Sequence, residues 1–410
     1  MMNFGSDAAP RAILSRPRLF TAAILIQLLA LSVFSHPVAV PVPTAKAVEY
    51  QNLSNLVWGI KQILTLLLPI LFLISGIGTR ILAKTQRYGK YLTFTVFAAI
   101  FFALNSLIQL PLERIRINKL NQTIGDAGLP LLQWISGQLV QSLPTIILST
   151  AAALLVFWLI NRSSRSWWLW ATGIFSILFL VFLVGEPFTE NYKPLGRTPV
   201  EIKILLVAGR VGIPKDAIAL DTCEPIERCE DARVIGLGPT RVVLLNEEYI
   251  HTRPENWTIQ TFSHESKHFV KDDNLMGWVV LTLIFLVCFW LVDQICKATI
   301  RRFSDQLGFN SISQAAALPL VILVLTLIYL IALPPVNLFR QHVEFEADRY
   351  GLELTGESQV LGEMVSNWTA ESPFRVPDPG LFFMLFRSSH PSDASRIAFA
   401  NEFDAKNRNQ

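Results

Sequence analysis

The sequence predicts a mostly α-helical, polytopic membrane protein with about seven transmembrane helices and a small α+β domain that a transmembrane hairpin divides in two. Three observations support this fold class. Hydrophobic residues make up 51% of the chain and charged residues only 16%, with a mean hydropathy of +0.41. Several apolar runs approach the roughly 20 residues that a membrane-spanning helix needs. Hydropathy falls over residues 188–275 and again after residue 336, where the polar domain is expected.

Residues 1–55 contain a basic stretch, a short apolar run at 19–34 and a linker rich in proline, valine and alanine. This pattern is typical of a secretory signal peptide or of a short first span. An uncleaved span is favoured, since no clean small-x-small cleavage site follows the run. The segment is therefore interpreted as an N-terminal span or signal-like segment with its linker.

Residues 56–187 are predicted to form four transmembrane helices. Their approximate bounds are 56–78, 92–112, 142–161 and 167–187. Three prolines lie in these segments or at their ends, where proline predicts kinks or helix ends: Pro69, Pro111 and Pro144.

Residues 276–336 are predicted to form the transmembrane hairpin, with spans at about 276–296 and 313–334. Pro334 and Pro335 are expected to end its second helix. Asp293 lies inside the first span and is either a cavity-lining group or an interface-facing residue near a span end.

The polar domain comprises residues 188–275 and 337–410. Its first part is expected to hold an amphipathic helix and three short strands, followed by a helix that Thr252 and Pro254 open. The helix bounds are 201–211, and the strand bounds are 217–220, 233–237 and 241–245. The second part is expected to begin with a polar helix near Val336 and to close with a helix near Ser392.

The helix after Pro254 carries an HExxH motif, His264-Glu265-Ser266-Lys267-His268. Residues four apart share one helical face, so both imidazoles can bind a single zinc ion. Glu265 lies beside that face, where the general base for a zinc-activated water is expected. The alternative is an amphipathic helix that happens to carry two histidines, but the chain has only 6 histidines in 410 residues.

A two-histidine zinc site needs a third protein ligand, and the polar helix after the hairpin offers one. Glu344 and Asp348 are spaced i, i+4 on one helical face. One carboxylate can bind the metal while the other orients a ligand imidazole. The alternative for this acidic stretch is a solvated helix face.

These motifs together resemble the membrane zinc metallopeptidases that include the CAAX prenyl endopeptidases and the HtpX-like proteases, and most closely bacterial members of the CAAX-type branch. The resemblance rests on His264-Glu265-x-x-His268, Glu344-x-x-Ala347-Asp348, Leu110-Pro111-Leu112 with Asn121-Gln122-Thr123, Asp231-Ala232, His390-Pro391 and Arg396-Ile397. It extends from about residue 55 over most of the chain. The resemblance implies a zincin-like metallopeptidase domain that binds one Zn²⁺ per chain.

The resemblance also implies roles for individual residues. His264, His268 and Glu344 would bind zinc, and Asp348 would orient a ligand. His390 and Arg396 would donate to the oxyanion of the tetrahedral intermediate. Asp231 and Ala232 match the edge strand that pairs with substrate in the family. The family usually has Asn-Ala there, which puts a side-chain amide contact from position 231 in doubt.

The expected function is that of an integral-membrane zinc metalloendopeptidase with Glu265 as general base. The alternatives are an HtpX-like quality-control protease for membrane proteins and a catalytically silent scaffold on the same fold. The expected partners are a peptide or membrane-protein substrate and the lipid bilayer. Nucleic acid is not expected, because the chain has no block of lysine and arginine. The oligomeric state is left open.

The expected location is a bacterial inner membrane, and the side on which the zinc domain lies is an open question. The family places this domain in the cytosol. With seven spans, most basic loops fall on the other side, which the positive-inside rule makes cytoplasmic. Arg114, Arg116 and Lys119 argue the other way. Cys223 and Cys229 lie in the zinc domain and could pair in an oxidising compartment.

Overall fold

A computed structural model of the chain describes residues 37–223 and 230–408. Within these residues, six helices are long and apolar enough to cross a membrane. They are α1 (Ala45–Ser75), α3 (Lys90–Ile124), α4 (Leu131–Arg162), α5 (Trp167–Gly185), α9 (Asp273–Leu307) and α10 (Leu318–Thr355). The short helix α2 (Ile77–Thr85) follows α1. The predicted mostly α-helical membrane fold is confirmed. The expected seventh span, at 19–34, lies outside the described residues.

The polar domain is built from both sides of the hairpin formed by α9 and α10. Its helices are α6 (Pro199–Val211), α7 (Glu247–Thr252), α8 (Glu255–Lys271), α11 (Ser358–Glu371), α12 (Gly380–Phe386) and α13 (Asp393–Arg408). Its strands are β1 (Tyr192–Pro194), β2 (Ile218–Asp221), β3 (Ala232–Ile235) and β4 (Val242–Asn246). Three of the four strands follow the predicted bounds closely, and β1 was not expected.

The four strands form one sheet in the order β1-β2-β4-β3. Strands β2 and β4 are parallel, whereas β1 pairs with β2, and β3 with β4, in antiparallel fashion. The middle strands are fully buried and pack against α6 and α8 through an apolar core that includes Ile204, Val243 and Phe262. This arrangement leaves β3 at an edge of the sheet.

Helix α10 crosses α8 at close range, and Gly351 makes this possible. A Cβ atom at Gly351 would lie 2.8 Å from Nε2 of Gln260 and 3.3 Å from the backbone nitrogen of His264. Only a residue without a side chain allows the two backbones to approach this closely. The contact places the carboxylates at positions 344 and 348, respectively two turns and one turn earlier on α10, beside the histidines of α8.

The expected helix end at Pro334-Pro335 is wrong. Helix α10 runs without interruption from Leu318 to Thr355, with both prolines in its interior. A proline in a helix interior costs about 3 kcal/mol, because it removes a hydrogen bond and clashes with the preceding turn. Packing on both sides offsets this cost: the first part of α10 lies in the membrane core with α4, α5 and α9, and the last part lies against α8.

Asp293 is buried and does not face the membrane interface. The residue is 1% exposed inside the helix bundle, and it does not line the cavity that contains the HExxH motif. It accepts hydrogen bonds from Nε1 of Trp167 at 2.6 Å and from Nζ of Lys297 at 2.8 Å. Asp293 therefore ties α5 to α9 near the end of the helices that is remote from the HExxH motif.

Candidate active site

His264 and His268 project one turn apart from α8, and Glu344 reaches them from α10. The two Nε2 atoms are 3.3 Å apart, and Oε2 of Glu344 lies 3.3 Å from Nε2 of His264 and 3.9 Å from Nε2 of His268. A tetrahedral zinc ion with bonds of about 2.0–2.1 Å requires ligand atoms about 3.3–3.4 Å apart. Two of the three separations equal this edge and the third is about 0.5 Å wider, so the three atoms are close enough together to hold a single metal ion.

Both imidazoles are oriented by carboxylates on their outer side. Nδ1 of His264 lies 2.9 Å from Oδ1 of Asp348, and Nδ1 of His268 lies 2.6 Å from Oδ2 of Asp273. A carboxylate can only accept, so each imidazole carries its proton on Nδ1 and turns the lone pair of Nε2 towards Glu344. Two lone pairs and a carboxylate that converge on one point repel one another unless a cation lies between them. The donor chemistry of the site thus fits a divalent metal ion.

Asp348 is fully buried and holds both His264 and Arg396. The guanidinium of Arg396 donates from Nε to Oδ2 and from Nη2 to Oδ1, each at 2.7 Å. Such a bidentate pair fixes the plane of the carboxylate and therefore the direction of the His264 ring. Two of the three nitrogens of Arg396 are used in this way, so its predominant contact is with Asp348.

Asp273 was not predicted as a site residue. The chain leaves α8 at Asp272, whose left-handed backbone (φ 53°) breaks the helix and lets the next residue turn back towards His268. Lys267 also donates to Asp273 at 2.7 Å and to the carbonyl of Val343 at 3.1 Å, which links α8, α9 and α10. An acidic residue five positions after the second histidine was the available signal, but regular helical geometry would have placed it on another face.

Glu265 faces the same cavity as the metal-ligand group. Burial raises the pKa of the Glu265 carboxyl above its usual range, while the neighbouring His268 and His264 act in the opposite direction. A carboxylate with a raised pKa is a stronger base than an exposed glutamate.

His390 approaches the metal-ligand group from the loop between α12 and α13. Its Nε2 atom lies 3.6 Å from Oε2 of Glu344, and its Nδ1 atom lies 3.0 Å from the hydroxyl of Ser389. The side chain is 61% exposed and forms part of the cavity wall. It is therefore accessible to a molecule that enters the cavity.

The edge strand β3 presents part of its backbone to the cavity. The carbonyl of Asp231 accepts from the backbone N–H of Asn246 at 3.0 Å. Because alternate residues of an antiparallel pair face the partner strand, Ala232 and Val234 turn their N–H and C=O groups to the open edge. Burial raises the pKa of the Asp231 carboxyl, although Arg253 and Arg375 oppose this shift.

Asn274, at the start of α9, covers one end of that open edge. Its Nδ2 atom donates to the carbonyls of Val234 at 3.3 Å and Gly236 at 2.8 Å. Within the described part of the chain, the backbone N–H and C=O of Ala232 and the N–H of Val234 are left without partners. These groups match what an added extended peptide needs for backbone pairing.

A cavity of about 1010 Å³ contains the whole constellation. All of the site residues predicted from the sequence line it: Asp231, Ala232, His264, Glu265, His268, Glu344, Asp348, His390 and Arg396. The structure thus brings together residues that lie up to 165 positions apart in the sequence (396 − 231).

The membrane fold, the convergent His-His-Glu group and the adjacent glutamate define a membrane metallopeptidase, and comparison with known proteins agrees. Residues 198–404, just over half of the chain, match the description Peptidase family M48. The chain therefore belongs to peptidase family M48, and the resemblance noted from the motifs is confirmed.

Two relatives extend the match beyond the metal site. The chain is 26% identical over 371 residues to an uncharacterized metalloprotease of Bacillus subtilis (strain 168), YhfN, which covers 88% of this chain and 86% of that protein. The crystal structure of S. mikatae Ste24p superposes with a TM-score of 0.69 at 17% identity, covering 94% of this chain and 99% of that chain. The fold of almost the whole chain is thus similar to that of Ste24p.

Proposed function

We propose that this metalloprotease is a zinc-dependent endopeptidase that hydrolyses peptide bonds in a cavity at the membrane boundary. The observation that carries the proposal is the convergence of Nε2 of His264, Nε2 of His268 and Oε2 of Glu344, with two separations of 3.3 Å that equal the edge of a zinc tetrahedron and a third of 3.9 Å that is wider. One Zn²⁺ per chain would be held by these three residues. When bound, zinc supplies Lewis acidity, which polarises a carbonyl and lowers the pKa of water.

Glu265 is the general base in this proposal. It accepts a proton from the attacking water and delivers it to the leaving amine, roles that its raised pKa supports. His390 donates a hydrogen bond to the oxyanion that develops on the substrate carbonyl. Arg396 acts chiefly through Asp348, whose position fixes the His264 ring. Its third nitrogen, Nη1, is the atom through which it would reach the oxyanion.

The substrate is proposed to bind as an extended strand along β3. Ala232 would contribute its N–H and C=O and Val234 its N–H, which makes backbone pairing independent of the substrate side chains. Asp231 then acts through its backbone position at the start of the strand, since its carboxylate cannot replace the donor function of a side-chain amide.

The decisive experiment compares the purified wild type with Glu265→Gln. The variant is expected to retain one zinc per chain, because Glu265 is not a ligand, and to lose about 10²- to 10⁴-fold in peptide cleavage. Glu353→Gln, at an exposed position on α10, is the matched control and should behave as wild type. Wild-type cleavage by Glu265→Gln would refute the assigned base.

A catalytically silent scaffold would show zinc binding without cleavage in the wild type itself. The complete set of metal ligands and their orienting carboxylates argues against that alternative. If cleavage is observed, trapping of substrates on Glu265→Gln separates an enzyme that processes defined peptides from an HtpX-like quality-control protease. The first would trap few proteins with a common sequence, and the second would trap many unrelated membrane proteins.

We also propose that the active-site cavity faces outward from a bacterial inner membrane. A set of basic residues lies at the end of the helices remote from the metal-ligand group: Arg80, Lys84, Arg87, Lys90, Arg162, Arg165, Lys297, Arg301 and Arg302. The positive-inside rule makes that end cytoplasmic. At the other end, Arg116 and Lys119 are ion-paired with Glu113 and Glu49, which weakens them as opposing signals.

The cysteines agree with this orientation. Cys223, in the polar domain, is disulfide-bonded, which fits an oxidising compartment, while Cys288 and Cys296 in α9 are free thiols. Cys229 lies outside the described residues.

Single cysteines at exposed positions test the orientation. A membrane-impermeant thiol reagent applied to intact cells should label Lys215→Cys, at the polar domain, and spare Arg302→Cys, at the opposite end. The reverse pattern would place the cavity in the cytoplasm.

A further inference from the structure

Arginines form much of the charge on the cavity wall. Four of the six that line it pair with carboxylates: Arg116, Arg233, Arg375 and Arg396. Arg340 is exposed and therefore solvated. Arg387 differs from both groups. It is partly buried, and within the described part of the chain no carboxylate lies within ion-pair distance of its guanidinium.

Arg387 follows the last turn of α12 and reaches across to α1. Its Nη1 atom donates to Oδ1 of Asn55 at 2.6 Å, and its Nη2 atom donates to the hydroxyl of Ser54 at 3.0 Å. The guanidinium carbon lies 5.3 Å from the ring centre of Phe383. These neutral contacts fix the side chain but leave its charge uncompensated, and further N–H groups of the guanidinium are still available.

The surroundings of Arg387 are electrically positive. Burial lowers the pKa of Arg387, Tyr50 opposes this shift, and the positive charge of Arg116 adds to it, so Arg116 lies close enough to act on the guanidinium. Arg116 itself shares the carboxylate of Glu113 with Lys61: Nε of Arg116 lies 3.0 Å from Oε1, and Nζ of Lys61 lies 3.2 Å from Oε2. This group thus contains three cations, Arg387, Arg116 and Lys61, and one anion, Glu113. Burying a guanidinium without a counter-charge is unfavourable, so the arrangement favours an anion from outside.

Hydrogen bonds attach the segment around Arg387 to α10, the helix that carries Glu344. Gln341 of α10 donates from Nε2 to the carbonyls of Met384 at 2.8 Å and Ser388 at 2.9 Å, on either side of Arg387. Gln341 lies one helical turn before the ligand Glu344. Arg387 and Glu344 also line the same cavity, which a peptide at the catalytic centre would enter.

We propose that Arg387 forms a carboxylate-binding subsite of the active-site cavity, which recognises a carboxylate of the peptide substrate. The guanidinium would bind the carboxylate through paired N–H groups. The carboxylate belongs either to an aspartate or glutamate side chain or to a free C-terminus. This inference rests on the proposed peptidase function. A peptide is favoured over a lipid phosphate, because Arg387 lines the same cavity as the edge strand and the metal-ligand group.

The test measures binding and cleavage separately. The full-length chain is purified in a neutral detergent, and a mixture of defined peptides identifies a cleaved sequence. That sequence is then prepared with glutamate or glutamine at each position in turn, and with a free or amidated C-terminus. Affinities of these pairs are measured on Glu265→Gln, and kcat/KM on the active chain. We expect one acidic position, or the free C-terminus, to be preferred by about 10- to 100-fold.

Variants of Arg387 assign the preference to this residue. In Arg387→Gln the ratio between the paired peptides should fall to near one, and Arg387→Lys, which keeps a cation, should restore part of it. Arg210→Gln removes an exposed arginine of α6 outside the cavity and should keep both the rate and the ratio. Thermal unfolding of each variant checks that it is folded.

Three outcomes would overturn the proposal: no carboxylate preference in the wild type, a preference that persists in Arg387→Gln, or a dependence on Arg387 that appears only when anionic lipid is added. The last outcome would assign the site to a lipid headgroup. Failure of the peptidase function is recognised separately. Neither the wild type nor Glu265→Gln would then cleave any peptide of the mixture, and the carboxylate preference would be measured as binding of glutamate or glutamine, and free or amidated, versions of the mixture's own peptides to the wild type and to Arg387→Gln.

Discussion

Replacement of Asp348 by asparagine is expected to weaken zinc binding although position 348 is not a metal ligand. In the wild type, Oδ1 of Asp348 accepts from Nδ1 of His264 at 2.9 Å and from Nη2 of Arg396 at 2.7 Å, and Oδ2 accepts from Nε of Arg396 at 2.7 Å. An asparagine has one acceptor oxygen, so one of these donors must face the NH₂ group. If that donor is Nδ1 of His264, the imidazole moves its proton to Nε2 and can no longer bind a metal.

The expected loss of zinc affinity follows from the role of carboxylates that orient a ligand histidine. Loss of a partner that fixes a ligand histidine typically lowers metal affinity by about 10- to 100-fold, or about 1.4–2.7 kcal/mol. The Arg396 side chain, only 12% exposed, also loses its counter-ion. Removing one partner of a buried ion pair costs about 3–5 kcal/mol, so the stability of the zinc-free protein should fall as well.

Two measurements keep these effects apart. Competition with a chromophoric chelator in detergent gives the zinc affinity, and thermal unfolding of the zinc-free protein gives the structural loss. Asp216→Asn, at an exposed position, is the control and should match wild type in both. A zinc affinity of Asp348→Asn equal to that of wild type would refute the idea that Asp348 sets the tautomer of His264.

Three further predictions concern the supports of the site. Asp273→Asn should weaken zinc binding by about 10- to 100-fold in the same competition assay, because the carboxylate that accepts from Nδ1 of His268 is replaced by a neutral amide, whose oxygen is a weaker acceptor. Gly351→Val should destabilise the fold by about 1–3 kcal/mol in denaturant unfolding, since the new side chain meets α8, and should cost more than Gly209→Val, whose site is open. Asp231→Asn should become more stabilising as pH rises, measured by thermal unfolding between pH 3.5 and 7. The folded wild type favours the neutral acid, because the pKa of Asp231 is raised above its ordinary value of 3.8. The free energy of unfolding of the wild type therefore falls as the pH rises from about 3.8 through the raised pKa, and the variant lacks this loss.

Local spacing explains why the metal-ligand group could be predicted from the sequence. Two histidines four apart must share a helical face, and Glu344 and Asp348 must share another, whatever the rest of the chain does. The apolar length of the six observed spans is likewise a local property. Predictions of this kind need no knowledge of how distant elements pack.

The features that the sequence did not predict depend on how distant parts of the chain pack together. Asp273 reaches His268 only because Asp272 adopts a left-handed conformation, which no periodicity indicates. The prolines at 334 and 335 carry a strong local signal for a helix end, and packing on both sides overrides it. The pairing of Arg396 with Asp348 joins helices 48 positions apart, so the motif alone could suggest only that Arg396 lies near the substrate.

In the proposed mechanism, the transmembrane hairpin is part of the catalytic apparatus as well as a membrane anchor. Its first helix begins with Asp273, which orients His268, and its second helix supplies Glu344 and Asp348. The HExxH helix contributes two proposed metal ligands, and a carboxylate at each end of the hairpin sets the direction of their imidazole rings. Because α9 and α10 are held by the membrane bundle, the geometry of the metal site depends on the packing of that bundle. A catalytic centre built in this way is confined to the membrane boundary, and any substrate must reach it there.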